Sequence, residues 1–353
     1  MSPRLHVLLG AGGVGKTTLA AGYALALARV PGRRVGLIGI DPSHRLKDAL
    51  GVALHDVDAP VPSAGALRAA VLHPEEGVRR WATEACSDPA KLARLYANPF
   101  FAALADRLAT ATDIFAAARV AEWVEHDPAL TDLVIDTAPG LNAIEFLTRP
   151  ERVAAFLGGR LVEWLRWFAR EEPTGSAAGF LRGGARRVLG SLSRIGGSRM
   201  LVDLADLFSL VDEMFARMLV RVQATQRWLR DASTQLVVVT SVRYDGAQMA
   251  SSLVLALSSA GLTARAVVVN RALPVGFAEH VAPFESEAIA NDATASPVIR
   301  YALAYAAIQA RLVGAVHDLT SKTIVLPVAR GLDGDARLEA LTSIGELLRV
   351  GLD

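Results

Sequence analysis

The chain has 353 residues, of which 52% are hydrophobic, and Lys+Arg 37 against Asp+Glu 36 leaves a formal net charge of +1. That length can bury a sizeable core, and the near neutrality points to neither a nucleic-acid partner nor an acidic client. The single cysteine, Cys86, excludes an intramolecular disulfide, a multi-cysteine metal site and an iron–sulfur cluster; it fits a reducing compartment, most simply the cytosol.

The apolar run Leu5-His6-Val7-Leu8-Leu9 reads as a strand. Arg4 in front of it superficially resembles a secretion signal, but the run is short and leads straight into Gly10-Ala11-Gly12-Gly13-Val14-Gly15-Lys16-Thr17-Thr18. A helix-forming stretch from Leu19 to Arg29 follows. Strand, glycine loop and helix in that order make a phosphate-binding loop, whose backbone N–H groups converge on phosphate oxygens at a helix N-terminus. Lys16 would reach the β- and γ-phosphates and Thr17 would ligate Mg²⁺.

Pro31-Gly32 marks a turn, and Val35 to Ile40 is a continuous apolar run of the kind buried on both faces of a parallel sheet. It stops at Asp41. An acid at the carboxyl end of such a strand lies where open parallel sheets bind ligands, so Asp41-Pro42-Ser43-His44 is expected to face the phosphates. A helix cap ahead of Arg45 is the alternative. Leu67 to Leu72 is a candidate strand, and residues 75–126 carry apolar spacing for two or three helices, with Trp81, Tyr96, Phe100, Phe101 and Trp123 as core.

Leu133-Val134-Ile135-Asp136 is another buried strand ending in an acid, followed by Thr137-Ala138-Pro139-Gly140. Asp136 would hold the Mg²⁺ shell, directly or through water, and the turn at Ala138, Pro139 and Gly140 would bring movable backbone near the γ-phosphate. A plain capping role for Asp136 is the alternative.

Residues 150–230 interrupt the strand–helix alternation. Leu157, Leu161 and Phe168 recur at helical spacing, as do Leu204, Phe208, Val211, Phe215, Met218 and Val222, with Leu207, Leu210 and Met214 beside them. These faces are either core or an adaptable surface for a client, since Met200, Met214 and Met218 fall here. Between them, Arg182 to Arg199 is a basic, glycine- and serine-rich connection that could touch anionic lipid.

The alternation resumes with strands at Leu236–Thr240, Arg265–Val269 and Lys322–Leu326, and helices at Gly246–Ala260, Ser296–Val316 and Asp335–Val350. Roughly seven strands joined by crossovers imply an α/β fold, a doubly wound and mainly parallel sheet with a helical insertion. Residues 1–149 and 231–353 would form one discontinuous nucleotide-binding domain that includes the helices at about 75–126. Residues 150–230 would be the insertion.

The motifs Gly12-Gly13-Val14-Gly15-Lys16-Thr17-Thr18, Asp41-Pro42-Ser43-His44, Asp136-Thr137-Ala138-Pro139 and Val268-Val269-Asn270-Arg271, in that order, resemble those of the ArsA-like ATPases. That family includes the arsenite-pump ATPase and the ATPase that targets tail-anchored membrane proteins. The resemblance implies ATP and Mg²⁺ as ligands, a dimer closed around nucleotide, Asp41 polarising the attacking water, and Asp136 organising Mg²⁺. It further implies that residues 138–140 couple phosphate state to the insertion, that Asn270 contacts adenine and that Pro327 lines its pocket; for Asn270 a turn role is the alternative.

Three departures stand out. Ala11 occupies the position where the family loop usually carries a lysine that reaches the partner's nucleotide. There is no Cys-x-x-Cys for a zinc staple and no multi-thiol arsenite site. Arg45 follows the first switch in place of a small polar residue. The implied function is a cytosolic Mg²⁺-ATP-dependent ATPase, slow or partner-dependent, acting as a homodimer or with a lysine-bearing paralogue on a hydrophobic or membrane-associated client. A nucleotide-gated scaffold with negligible hydrolysis is the non-enzyme alternative. A partitioning ATPase is disfavoured because the mixed-charge end, Leu338–Asp353, supports neither a membrane helix nor a DNA-binding face.

Overall fold

The computed structural model describes residues 3–41, 45–86, 88–110, 112–140, 203, 206–207, 210–274, 276–291, 295–328 and 336–353. Expectations for Pro42, Ser43 and His44, for the helix around 157–168, for Met200 and for the basic connection 182–199 lie outside the described residues. The described residues fall into two compact units: one drawn from Met1–Leu72, Val124–Leu147 and Arg227–Asp353, the other from His73–Trp123 and Thr148–Gln226. The sequence-based division places the helices at about 75–126 with the nucleotide-binding core, whereas residues 73–123 group with the second unit.

The first unit is built on an eight-stranded sheet: β1 (Arg4–Gly10), β2 (Val35–Gly39), β3 (Ala59–Pro60), β4 (Leu67–Val71), β5 (Asp132–Asp136), β6 (Gln235–Ser241), β7 (Ala264–Ala272) and β8 (Thr323–Pro327). Their order across the sheet is β3-β4-β2-β5-β1-β6-β7-β8. All pairs are parallel except β3 with β4. The seven expected strands are present. The eighth, β3, is a two-residue antiparallel edge with no apolar run to announce it, and its Pro60 belongs at an edge because it has no N–H to donate.

The central strands alternate between two buried faces, which is why they read as continuous apolar runs. Leu8, Leu37, Val134, Val239 and Val268 join one core cluster with helices α1 (Lys16–Ala28), α2 (Arg45–Leu50) and the C-terminal helix (Arg337–Leu352). Val7, Leu9, Ile38, Ile135, Val238 and Val267 are buried on the other face. α1 is apolar all round because it is covered all round; against the C-terminal helix its backbone comes so close that a Cβ on Gly22 would lie 2.3 Å from the Leu341 carbonyl oxygen, and one on Gly345 1.9 Å from that of Gly22.

In the second unit, helices α3 (Pro74–Ala85), α4 (Pro89–Ala97) and α5 (Pro99–Thr110) each begin at proline, whose fixed φ suits a first helical position. α6 (Thr112–His126) and a helix over 210–229, α7, follow. Four helices therefore stand where two or three are expected. Trp81 stacks on Phe115 with ring centroids 4.5 Å apart, and the buried Glu122 accepts from Arg80 and the Trp81 indole. Of the expected aromatic core, Trp81, Phe101 and Trp123 are buried and Phe100 partly so, but Tyr96 is 44% exposed, because the short α4 buries only Leu95. Leu207, Leu210, Val211, Met214, Phe215, Met218 and Val222 are all buried, so the apolar face of α7 is packing.

Three helices complete the first unit: α8 (Gly246–Ser259), α9 (Phe277–Asn291) and α10 (Ala295–His317); the C-terminal helix is α11. α9 has no counterpart in the sequence reading. It carries Pro283 in its interior, a residue that ordinarily breaks a helical pattern. Among the described residues no helix is long and apolar enough to cross a membrane.

Candidate functional site

The sheet register assembles the site before any side chain is considered. Asp136, the last residue of β5, pairs with Leu8 on one side and Gly39 on the other. The glycine loop leaves β1 just beyond Leu8, and Asp41 follows β2 just beyond Gly39. Loop, Asp41 and Asp136 therefore meet at the carboxyl edge of three adjacent strands, where the strand order reverses around β1.

The loop is held from both sides. The Thr137 hydroxyl donates to the Leu8 carbonyl at 2.7 Å and Gly140 N–H to the Gly10 carbonyl at 2.9 Å, which seats Ala138, Pro139 and Gly140 beside the loop base. Pro139 stands close enough that a Cβ on Gly12 would lie 3.9 Å from its own Cβ. On the other side, the buried Asn270 donates from Nδ2 to the Val14 carbonyl at 2.9 Å. Gly15 has φ 93, and a Cβ there would lie 2.4 Å from Asn270 Nδ2, so this position admits only glycine. Gly12 and Gly13 are exposed, Val14 is buried beneath them, and Thr17 and Thr18 open α1.

Lys16 is 6% exposed and donates to the Ala11 carbonyl at 3.2 Å. Burial lowers its pKa, Arg45 adds to the lowering, and Asp136 and Asp41 oppose it. Asp136 is 3% exposed. Burial pushes its carboxyl up to about 6 against the opposing effects of a hydrogen bond from Thr17, of Lys16 and of Arg45; Asp41 reinforces the rise. Its Oδ1 has no hydrogen-bond partner among the described residues. A buried carboxylate oxygen without a donor is costly unless something else meets it. Together with the Thr17 hydroxyl it forms a set of hard oxygen donors at the foot of a phosphate loop, which fits Mg²⁺. Asp41 is half-buried and Arg45 exposed, both near Lys16 and Asp136.

A cavity of about 580 Å³ opens from the loop, lined by Gly13, Lys16, Thr17 and Thr18 and by Arg45, Arg271 and Arg337. A smaller one of about 70 Å³ adjoins Gly15, Thr18, Asn270 and Val328. Pro327 itself is exposed at the end of β8. Three more basic residues join the site, Arg243 and Arg337 without a motif to announce them and Arg271 as the last residue of the Asn270 motif. Arg243, beyond β6, approaches the Gly12 carbonyl at 3.4 Å and pairs with Asp245. Arg337, at the start of α11, donates to the Asp48 carbonyl at 2.8 Å. Arg271 follows Asn270 with φ 59, a left-handed conformation that costs a non-glycine residue about 1–2 kcal/mol. Their common signal is position: Arg243 lies just after β6, Arg271 in the last stretch of β7 and Arg337 at the start of α11.

Residues 4–290 match the family described as anion-transporting ATPase. An uncharacterised protein of Streptomyces coelicolor is 28% identical over 290 residues, 77% of this chain and 63% of that protein. The ATPase get3 of Schizosaccharomyces pombe is 31% identical over 155 residues, 42% of this chain and 45% of that one. The arsenical pump-driving ATPase of Acidiphilium multivorum is 27% identical over 157 residues, 42% of this chain and 26% of that one. The chain thus spans less than two thirds of each of these relatives. With the phosphate loop, the two strand-end acids and the parallel sheet in their common arrangement, the chain belongs to the anion-transporting, ArsA-like ATPase family.

Proposed function

We propose that the chain binds ATP with Mg²⁺ and hydrolyses it, using the phosphate cycle to drive a helical unit that handles a hydrophobic or membrane-associated client. The observation that carries this reading is the buried Oδ1 of Asp136, beside Thr17 and Lys16, which has no partner among the described residues. Thr17 and Asp136 would hold the ion, which when bound neutralises charge across the β- and γ-phosphates.

The chain's own groups do the rest. Loop N–H groups and Lys16 hold the phosphates in line. Asp41 orients a water whose oxygen bonds to the γ-phosphorus while the bond to the β–γ bridging oxygen breaks, releasing ADP and phosphate. Ala138, Pro139 and Gly140, tied to the loop base through Gly140, are the natural carriers of phosphate state toward residues 141–150.

Ala11 favours a second form of the same reading, in which turnover depends on a partner. Its side chain packs half-buried against the core and brings no charge to the loop. A cation supplied to the transferring phosphoryl group is worth roughly 10³ to 10⁵ in rate. We therefore propose a dimer, with a lysine-bearing paralogue as the partner that completes the site, in a cytoplasmic setting. Phosphate release is measured for the protein alone, with such a paralogue, and for Asp41→Asn. Release that the paralogue accelerates and Asp41→Asn abolishes supports the enzyme; wild type indistinguishable from Asp41→Asn in both conditions leaves the nucleotide-gated scaffold.

A further inference from the structure

α2 presents two faces. Leu46 and Leu50 are buried in the core cluster, while Arg45, Asp48 and Ala49 line the cavity that opens from the phosphate loop. A helix of 6 residues is not stable alone, so what holds it decides where it sits. Its amino end carries Arg45, whose charge acts on both Lys16 and Asp136. Its carboxyl end stops at Gly51, at φ 69, where the Gly51 and Val52 N–H groups both donate to the Lys47 carbonyl. The next carbonyl, that of Asp48, accepts from Arg337 Nη1 at 2.8 Å. The guanidinium is seated so closely that a Cβ on Gly51 would lie 3.3 Å from the same Nη1.

Arg337 stands on firmer support than α2. α11 is locked to α1 by the backbone approach at Gly22, Leu341 and Gly345, and α1 opens with Lys16, Thr17 and Thr18. The loop's end and Arg337 therefore share one rigid helix pair, on which α2 leans through Leu46, Leu50 and the guanidinium. Arg337 also lines the same cavity as Lys16, Thr17 and Thr18. A cation at a helix's last carbonyls opposes the negative end of its dipole, and the planar fork of a guanidinium can serve a carbonyl and a phosphate oxygen at once.

We infer that Arg337 bridges the phosphates of the ligand and the carboxyl end of α2, so that filling the cavity tightens α2 and with it the placement of Arg45. This rests on the ATP-binding reading above and adds to it a route from the phosphates to α2 by way of α11. Arg337 positions Arg45 and has no part in breaking the phosphate bond.

The test is hydrogen–deuterium exchange of the full chain across residues 46–52, with and without saturating Mg²⁺·ATP, with saturation set by calorimetry for each variant. Bound ligand is expected to slow exchange of these amides about tenfold in wild type. Without ligand, Arg337→Ala should exchange them about tenfold faster than wild type, the loss of one charged hydrogen bond, and bound ligand should slow it by less than about twofold. Arg337→Lys keeps a donor for the Asp48 carbonyl but not the fork. Its ligand-free exchange should stay within about threefold of wild type while most of the slowing by ligand disappears, a split that a merely structural tie does not produce. Unchanged exchange in ligand-free Arg337→Ala, slowing by Mg²⁺·ATP as large in either variant as in wild type, or wild type that binds Mg²⁺·ATP without slowing overturns the inference while the nucleotide site stands. Wild type that takes up no Mg²⁺·ATP in calorimetry overturns the nucleotide reading and this inference with it.

Discussion

β5 carries an aspartate at each end, and the two are equally buried, at 3% exposure, yet they sit in opposite circumstances. Asp132, at the amino end, accepts from His6 Nε2 at 2.9 Å, Arg33 Nη1 at 3.1 Å and the Thr131 hydroxyl at 2.8 Å. His6 continues the network to Gln235, whose Oε1 also accepts from the Tyr23 hydroxyl. Burial pushes Asp132 up, but its hydrogen bond and charge interaction with His6, then Thr131 and Arg33, leave it below the usual carboxylate range. Asp136, at the carboxyl end, has one oxygen without a partner among the described residues and is pushed by burial up to about 6. One strand thus shows what a satisfied buried charge and an unsatisfied one look like. The first stabilises the fold, and the second, while charged, is a cost to it.

The comparison breaks most visibly at its stable end. Asp132→Ala leaves His6 and Arg33 facing a void, and urea unfolding should show a loss of about 3–5 kcal/mol. The pH dependences of the two acids have opposite signs. Asp132 is depressed when folded, so its contribution is present above the ordinary value of 3.8 and is lost as pH falls through the folded value. Asp136 is raised, so the folded state holds its proton more tightly, and stability falls as pH climbs from 3.8 to about 6, by on the order of 3 kcal/mol. Asp136→Asn removes that charge. It should stabilise the ligand-free protein by a comparable amount at pH 8 and flatten the fall between pH 4 and 6, both read from denaturation midpoints.

Smaller effects sharpen the loop side. Lys16→Ala removes a buried amine whose pKa burial already lowers, so folding should not suffer, while ATP affinity drops about tenfold to a hundredfold in calorimetry. Asn270→Ala leaves the Val14 carbonyl without its donor and should cost about 1–2 kcal/mol in urea unfolding, with a few-fold weaker ATP binding.

The split between legible and illegible residues follows from the range of the interactions involved. Gly10 to Thr18, Asp41 and Asp136 were readable because each sits at a strand end that an apolar run marks, and a parallel sheet brings such ends together. Seven strands showed for the same reason. β3 was not legible, because a two-residue edge buries nothing, and α9 was hidden by Pro283. Arg243 and Arg337 escaped because arginine after a strand or at a helix start is locally unremarked; only the tertiary arrangement brings them to the loop. Asn270 is expected at the site only through the family resemblance; its hydrogen bond to Val14 spans most of the chain and leaves no trace in local spacing.

The most direct test of the contrast between the two ends of β5 is the unfolding midpoint of wild type and Asp136→Asn at pH 8, each with and without Mg²⁺·ATP. A ligand that binds only the folded state raises the midpoint by mass action. The account predicts that the variant melts higher than wild type without ligand, and that Mg²⁺·ATP raises wild type well above its own baseline but moves the variant little. A variant that melts lower than wild type, or gains as much from Mg²⁺·ATP, contradicts it.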